Sequence, residues 1–185
     1  MKELQNNEIK QLIESIIFVS PGPVTIKELN HYFKEYETKD LRKMLKELIS
    51  EFENSDRGFE LVEISNGYQF RSKPEFAEEI INYNKEIKKF RLSKASLEVI
   101  AIVAYKQPIT RVEIEQIRGV DCSGVINLLL DKRLLEIKGR KDVPGKPFLY
   151  GTTDEFLETF NLKNLKELPT LKEIEELDSE LELNV

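Results

Sequence analysis

PVTIKEL (residues 23–29) and PITRVEI (residues 108–114) share one pattern: Pro, a β-branched residue, Thr, two variable positions, Glu and an aliphatic residue. Their offset is 85 residues, which makes the chain an internal duplication. Thr25 with Glu28, and Thr110 with Glu113, have capping-box spacing. The hydroxyl satisfies the third helical N–H while the glutamate reaches back to the amide of the cap residue. Each motif therefore begins a helix. Upstream, the same offset pairs Leu12 with Leu97 and Ile17 with Ile102, placing an apolar helix before each motif, LIESIIFVS in one copy and LEVIAIVAY in the other.

Downstream, each copy continues with a third helix. Between Asp40 and Phe52, the residues Leu41, Met44, Leu45, Leu48, Ile49 and Phe52 form a core-facing stripe at 100° per residue. Lys39, Arg42, Lys43 and Lys46 fall on the opposite side. In the second copy, Asp121 is a candidate cap for a helix through CSGVINLLLDK, which is apolar nearly all round. A hairpin follows in each copy. FELVEI and YQFRS alternate at period two around Asn66-Gly67, and LLEIKGR pairs with PFLYGT through Val143-Pro144-Gly145-Lys146. Thr152 and Glu155 have capping-box spacing for a short closing helix through Phe156 and Phe160.

Three helices and a two-stranded wing, used twice, define a mainly α fold with small β-hairpins (α+β), in the form of two tandem winged-helix domains. The expected organisation is an N-terminal domain over 1–73, a helical linker over 74–92, a C-terminal domain over 93–162 and an acidic, mobile tail over 163–185. Pro74 suits the first turn of a linker helix, and Ser93 and Ser96 are both candidate caps for the helix after it. Leu171, Ile174, Leu177 and Leu181 would give the tail one apolar face, needing a partner or the body to fold against.

Charge narrows the functional classes. The net charge of −6 is concentrated at the C-terminal end. Residues 1–74 carry 11 basic and 13 acidic side chains and residues 93–160 carry 10 of each, whereas 161–185 carry 3 and 7. Domains that attract DNA strongly are usually basic. The Lys39, Arg42, Lys43, Lys46 stripe lies on the helix that would enter a major groove, and it reads equally as the solvated back of a core helix. The wing cations Lys138, Lys141 and Lys146, with Arg140, suit a phosphate backbone as accessory contacts, with no sequence reading. Hence only weak, non-specific DNA contact is expected.

Catalytic chemistry lacks material. One histidine, His31, and one cysteine, Cys122, leave no metal-ligand spacing and no Cys-His pair, and no glycine loop of phosphate-binding form appears. No cofactor is expected. Glu28 and Glu113 are accounted for as helix caps. The start, MKELQNNEIK, lacks the basic and apolar regions of a signal peptide, and no apolar run is long enough to cross a bilayer, so a cytoplasmic protein without membrane contact is expected. Tyr105 and Tyr150 combine apolar area with a polar tip, and Pro108, Pro144 and Pro147 fix backbone shape. These suit a protein interface, and the tyrosines suit a domain core equally well.

The stretch LSKASLEVIAIVAYKQPITRVEIEQIRGV (residues 92–120), together with GRKDVPGKPFLYGTTDEF (residues 139–156), resembles the segregation and condensation protein B family, ScpB. A weaker match lies in IESIIFVSPGPVTIKEL (residues 13–29), and the likeness spans about 9–162. The Asp121-Cys122-Ser123-Gly124 helix start departs from the family in carrying a cysteine. The resemblance implies a non-enzymatic homodimer, joined through its N-terminal domains, that binds the middle region of the kleisin ScpA and serves the SMC complex in chromosome condensation and segregation at the nucleoid. By matching motifs it implies a kleisin-facing surface built from, or supported by, Tyr105, Gln107, Pro108, Arg140, Asp142, Tyr150 and Thr152. A DNA-binding transcription regulator on the same fold is the competing expectation.

Overall fold

The two Pro–Thr–Glu motifs fold alike. In the computed structural model, which describes residues 6–83, 92–170 and 173, each motif makes a two-residue strand and then a capped helix. These are β1 (Val24–Thr25) with α2 (Ile26–Tyr32), and β4 (Ile109–Thr110) with α6 (Arg111–Arg118). Both capping boxes are complete: the Thr25 N–H donates to Glu28 Oε2 at 2.7 Å and the Thr110 N–H to Glu113 Oε2 at 2.9 Å. The chain is mainly helical with two small antiparallel sheets, the α+β class, and it divides at Leu92 into two compact units.

In the first unit, α1 (Asn6–Val19) and α3 (Thr38–Glu53) flank α2, and a hairpin follows of β2 (Phe59–Ile64) and β3 (Gly67–Ser72). The sheet order is β1-β3-β2, so the motif strand adds to the hairpin as a third strand. The stripe read from α3 is the core. Leu41, Leu45, Leu48 and Phe52 pack with Ile9, Ile13 and Ile17 of α1 and Leu29 of α2. Each such side chain contributes about 1.5–3 kcal/mol when fully buried.

The hairpin turn differs from expectation by one residue. Ile64 pairs with Gly67, and the two positive-φ residues are Ser65 (49°) and Asn66 (57°), so Ser65-Asn66 forms the turn in place of Asn66-Gly67. Gly67 answers a different need. A Cβ there would stand 3.0 Å from Pro23 and from the Val24 backbone, because β1 pairs closely alongside β3 with Thr25 opposite Gly67. After β3, Pro74 opens a 3₁₀ turn (Pro74–Phe76) that leads into α4 (Ala77–Tyr83). The basic run expected to complete the linker lies, apart from Leu92, outside the described residues.

The second unit repeats the plan with α5 (Lys94–Lys106), α6, α7 (Ser123–Asp131), β5 (Leu135–Arg140), β6 (Phe148–Thr152) and α8 (Asp154–Thr159). Its sheet order is β4-β6-β5. Ser93 is the cap of α5, accepting from the Ser96 N–H at 3.2 Å, while Ser96 is buried. The wing turn closes as read, with the Lys146 N–H donating to the Val143 carbonyl at 2.9 Å and Gly145 at φ +85°.

Three local readings change. The 85-residue offset fails in the first helix of each unit: buried Ile9, Ile13 and Ile17 match buried Ser96, Ile100 and Ala104, an offset of 87, since the connection from α1 to β1 is two residues longer than that from α5 to β4. Leu97 is consequently 44% exposed. At the start of α7 the cap position is Cys122; the Asp121 carboxylate instead accepts from the Ser123 N–H and hydroxyl, and Leu128 of that helix is exposed. At α8 the cap is Thr153, whose hydroxyl oxygen accepts from the Phe156 N–H at 3.1 Å. Thr152 is engaged elsewhere.

Of the stretch read as tail, residues 163–170 include a 3₁₀ turn (Leu165–Glu167), and Leu168 packs on the second unit's core. The amphipathic pattern from Leu171 onward lies outside the described residues.

Candidate functional site

Helix α5 ends where the chain must turn into the motif strand, and a side-chain clamp forms at that turn. Gln107, at the C-cap of α5, donates from Nε2 to Thr152 Oγ1 at 2.9 Å and accepts the Thr152 N–H at Oε1 at 2.8 Å. This joins the end of α5 to the last residue of β6 across 45 positions. The Gln107-Pro108 peptide is cis and Pro108 is exposed. Tyr105, in the last turn of α5, is 42% exposed and donates from its hydroxyl to the Pro169 carbonyl at 2.6 Å. Tyr105, Gln107, Pro108 and Thr152 therefore meet at one end of β6.

Arg140 and Asp142 belong to the other end. Arg140 is paired with Phe148 in the ladder; its guanidinium lies 4.0 Å from the Phe148 ring centroid and Nη1 donates to the Lys146 carbonyl at 3.0 Å. Asp142 is exposed in the turn that follows β5. With about 3.3 Å per residue along β6, the two groups stand about 13 Å apart. A partner touching both must run along the hairpin.

Tyr150 lies between these ends and faces inward. It is 8% exposed, pairs with Ile109 and Ile137 in the sheet, and belongs to the core cluster with Val99, Ile114 and Leu129. Thr152 is also buried, at 6% exposed. Both therefore lie inside the second unit, away from solvent. The duplication carried a cue: Tyr68 of the first unit pairs with Val24 as Tyr150 pairs with Ile109, and it too is buried.

The wing cations are partly engaged inside the unit. Lys138 pairs with Glu136 on the same strand, and Lys141 Nζ donates to Glu113 Oε1 at 2.6 Å. Lys146 is exposed at φ +39° in the turn. On the first unit, Lys39 pairs with Glu37 at 2.7 Å, whereas Arg42, Lys43 and Lys46 present an exposed stripe on α3.

The Lys141–Glu113 pair ties the wing to the first turn of α6. Hydrogen bonding from Lys141, then from the Thr110 side chain and backbone, pulls the Glu113 carboxyl from the ordinary 4.5 down to about 2. No local pattern signals this contact, since Glu113 already had a complete role as a cap. A carboxyl whose pKa is depressed by folding adds stability that is complete above its unfolded pKa and is lost as pH falls toward the folded one. The second unit should therefore lose stability between about pH 4.5 and 2 in part through Glu113. The pair is half exposed, so its share is about 1 kcal/mol or less. Thermal unfolding followed across that range should show a shallower decline in Lys141→Met than in the unaltered chain. Identical slopes would remove the pair from the account.

Cys122 is buried, and its thiol is pushed up, first by burial and then by the Glu115 carboxylate, which disfavours the reactive thiolate. Among the described residues no helix is long and apolar enough to cross a membrane.

Comparison with known proteins gives the chain a family. The family model described as segregation and condensation complex subunit ScpB matches residues 11–171. Segregation and condensation protein B of Syntrophotalea carbinolica is 48% identical over 175 residues, covering 95% of this chain and 88% of the relative. That of Clostridioides difficile is 42% identical, covering 94% and 98%. Among solved structures, ScpB from Mycobacterium tuberculosis is 29% identical with a TM-score of 0.42, covering 86% of this chain and 99% of that one. The chain belongs to the ScpB family of segregation and condensation complex subunits.

Proposed function

We propose that the chain is a non-enzymatic subunit whose two units are winged helices: the first pairs two copies into a homodimer, and the second binds the middle region of the kleisin ScpA and through it serves SMC. Tyr105, Pro108, Arg140 and Asp142 supply the kleisin-facing surface, and Gln107, Tyr150 and Thr152 hold it in shape. The observation that carries this reading is the internal engagement of the wing's charges. Arg140 lies over Phe148, Lys138 pairs with Glu136 and Lys141 with Glu113, while α7, the helix that would enter a major groove, exposes Asn127 and Leu128. A surface arranged in this way favours a protein over a phosphate backbone.

The exposed Arg42, Lys43 and Lys46 favour a second, weaker activity, non-specific DNA contact by the first unit. Measuring capture of a kleisin middle fragment and of a DNA duplex side by side, at 50 and 200 mM salt, separates the two. About three phosphate contacts would weaken DNA binding roughly 40-fold across that range, whereas capture of the kleisin fragment should change far less. Tight, salt-sensitive DNA binding without kleisin capture would sink the reading in favour of a transcription regulator. A mass measurement of the free chain checks the dimer.

A further inference from the structure

The first unit carries an apolar band that its own fold leaves open. At the end of α1, Phe18 and Val19 are 72% and 76% exposed. The Phe18 ring meets the half-buried Phe70 of β3 edge-on at 6.4 Å between centroids, and Phe70 meets Phe59 of β2 in the same manner at 5.8 Å. Gly58 precedes Phe59, and a Cβ built on it would stand 3.6 Å from the Phe76 ring. Phe76, Ile80 and Tyr83 carry the band on through the 3₁₀ turn and α4, lining with Gly58 and Glu79 a cleft of about 410 Å³. Helix α4 has seven residues and buries none of them. So short a helix has little stability of its own, and covering its apolar side would supply it.

The size of the band points to a protein partner. Phe59, Phe76 and Ile80 are 38%, 41% and 38% exposed, and Tyr83 is 92% exposed. At roughly 200 Å² for each aromatic side chain, and less for Val19 and Ile80, the open part of the band is about 600 Å². Monomers rarely leave more than a few hundred Å² of contiguous apolar surface in water. A standard interface takes about 800 Å² from each partner, and in homodimers about 65% of it is apolar, so the band alone supplies that apolar share. Its rim carries both signs. The Arg57 guanidinium lies 5.0 Å from the Phe52 ring centroid and 6.0 Å from that of Phe59, and Glu79 lines the cleft. A two-fold axis brings residue i onto j and j onto i, so a second copy can offer Glu79 to Arg57 and Arg57 to Glu79. We propose that two copies of the chain meet on this band, with Phe18 of each seated in the cleft of the other and two Arg57–Glu79 pairs closing the rim. The proposal rests on the reading of the first unit as the pairing unit, and it names the face.

Sedimentation equilibrium on the full chain tests this. The unaltered chain should be a dimer, and Phe18→Glu and Tyr83→Glu should each raise its dissociation constant by about 30-fold or more, the effect of losing an interface anchor. Both positions are exposed, and the second variant stands in if the first perturbs folding. Arg57→Glu should weaken the dimer and the double variant with Glu79→Arg should restore it, a pattern that misfolding does not produce. Tyr32→Glu, at an exposed aromatic whose ring packs on Phe33 instead, should leave the dimer intact. A dimer indifferent to Phe18→Glu, Tyr83→Glu and Arg57→Glu would overturn the assignment of this face while the pairing reading stood. A monomer at every concentration would overturn both. An unchanged dimer with lost kleisin capture in the same variants would overturn the proposal in favour of the kleisin as occupant.

Discussion

Replacing Tyr150 by alanine is expected to cost the second unit about 3–5 kcal/mol, the range for emptying a buried aromatic site. The ring is 8% exposed and lies in the sheet between Ile109 and Ile137, against a core that includes Val99, Ile114 and Leu129. Collapse around the hole would have to move strands that are held by their own ladder. Domains have only about 5–15 kcal/mol in total, so this one change should bring the second unit close to unfolding while leaving the first unit in place. Urea unfolding followed by circular dichroism should show one early transition and one unchanged. Capture of a kleisin fragment should fail together with folding, and Tyr150→Phe, which preserves the ring, should retain both. If Tyr150→Ala kept its midpoint and lost only the kleisin fragment, Tyr150 would be a contact residue and its inward placement would not matter for binding.

Gln107→Leu is expected to cost about 1–3 kcal/mol, because it removes the acceptor of the Thr152 N–H inside a closed turn. The size follows from burial. Thr152 is 6% exposed, so its N–H has no ready access to water. The same change unfastens the end of α5 from β6, and binding at Tyr105 and Pro108 should weaken by more than stability alone explains. Chemical denaturation and kleisin capture on one preparation would measure both effects. A stability change under about 0.5 kcal/mol, typical of an exposed site, would show that water readily replaces the glutamine.

Much of this was legible beforehand because it rests on short-range rules. The capping boxes at Thr25 and Thr110 involve partners three residues apart, and the α3 stripe and the wing turn at Gly145 depend on periodicity and on one residue's backbone freedom. The misses share a cause. Thr152 and Thr153 are equally good caps in sequence, and Thr153 takes the role because Thr152 is bonded to Gln107, 45 residues away. Gly67 looked like a turn residue, yet its lack of a side chain is required by the close pairing of β1 with β3. Glu113 looked complete as a cap until the wing brought Lys141 to it. The 85-residue offset pairs Leu97 with Leu12, and a two-residue difference in a connection puts Leu97 on the outside of its helix.

Sequence alone determined the duplication, the main helices and hairpins and the resemblance to ScpB, since these follow from local spacing and motif identity, whereas the short strands β1 and β4 appear only in the sheets. Tertiary structure alone decided which of the candidate surface residues are reachable. It buried Tyr150 and Thr152, paired Lys141 with Glu113, set the exposed Arg140 over Phe148, and left Tyr105, Ala101 and Leu97 in a line on the outside of α5. The reason is that exposure is a property of how distant segments pack, and periodicity within one segment shows only which residues share a face.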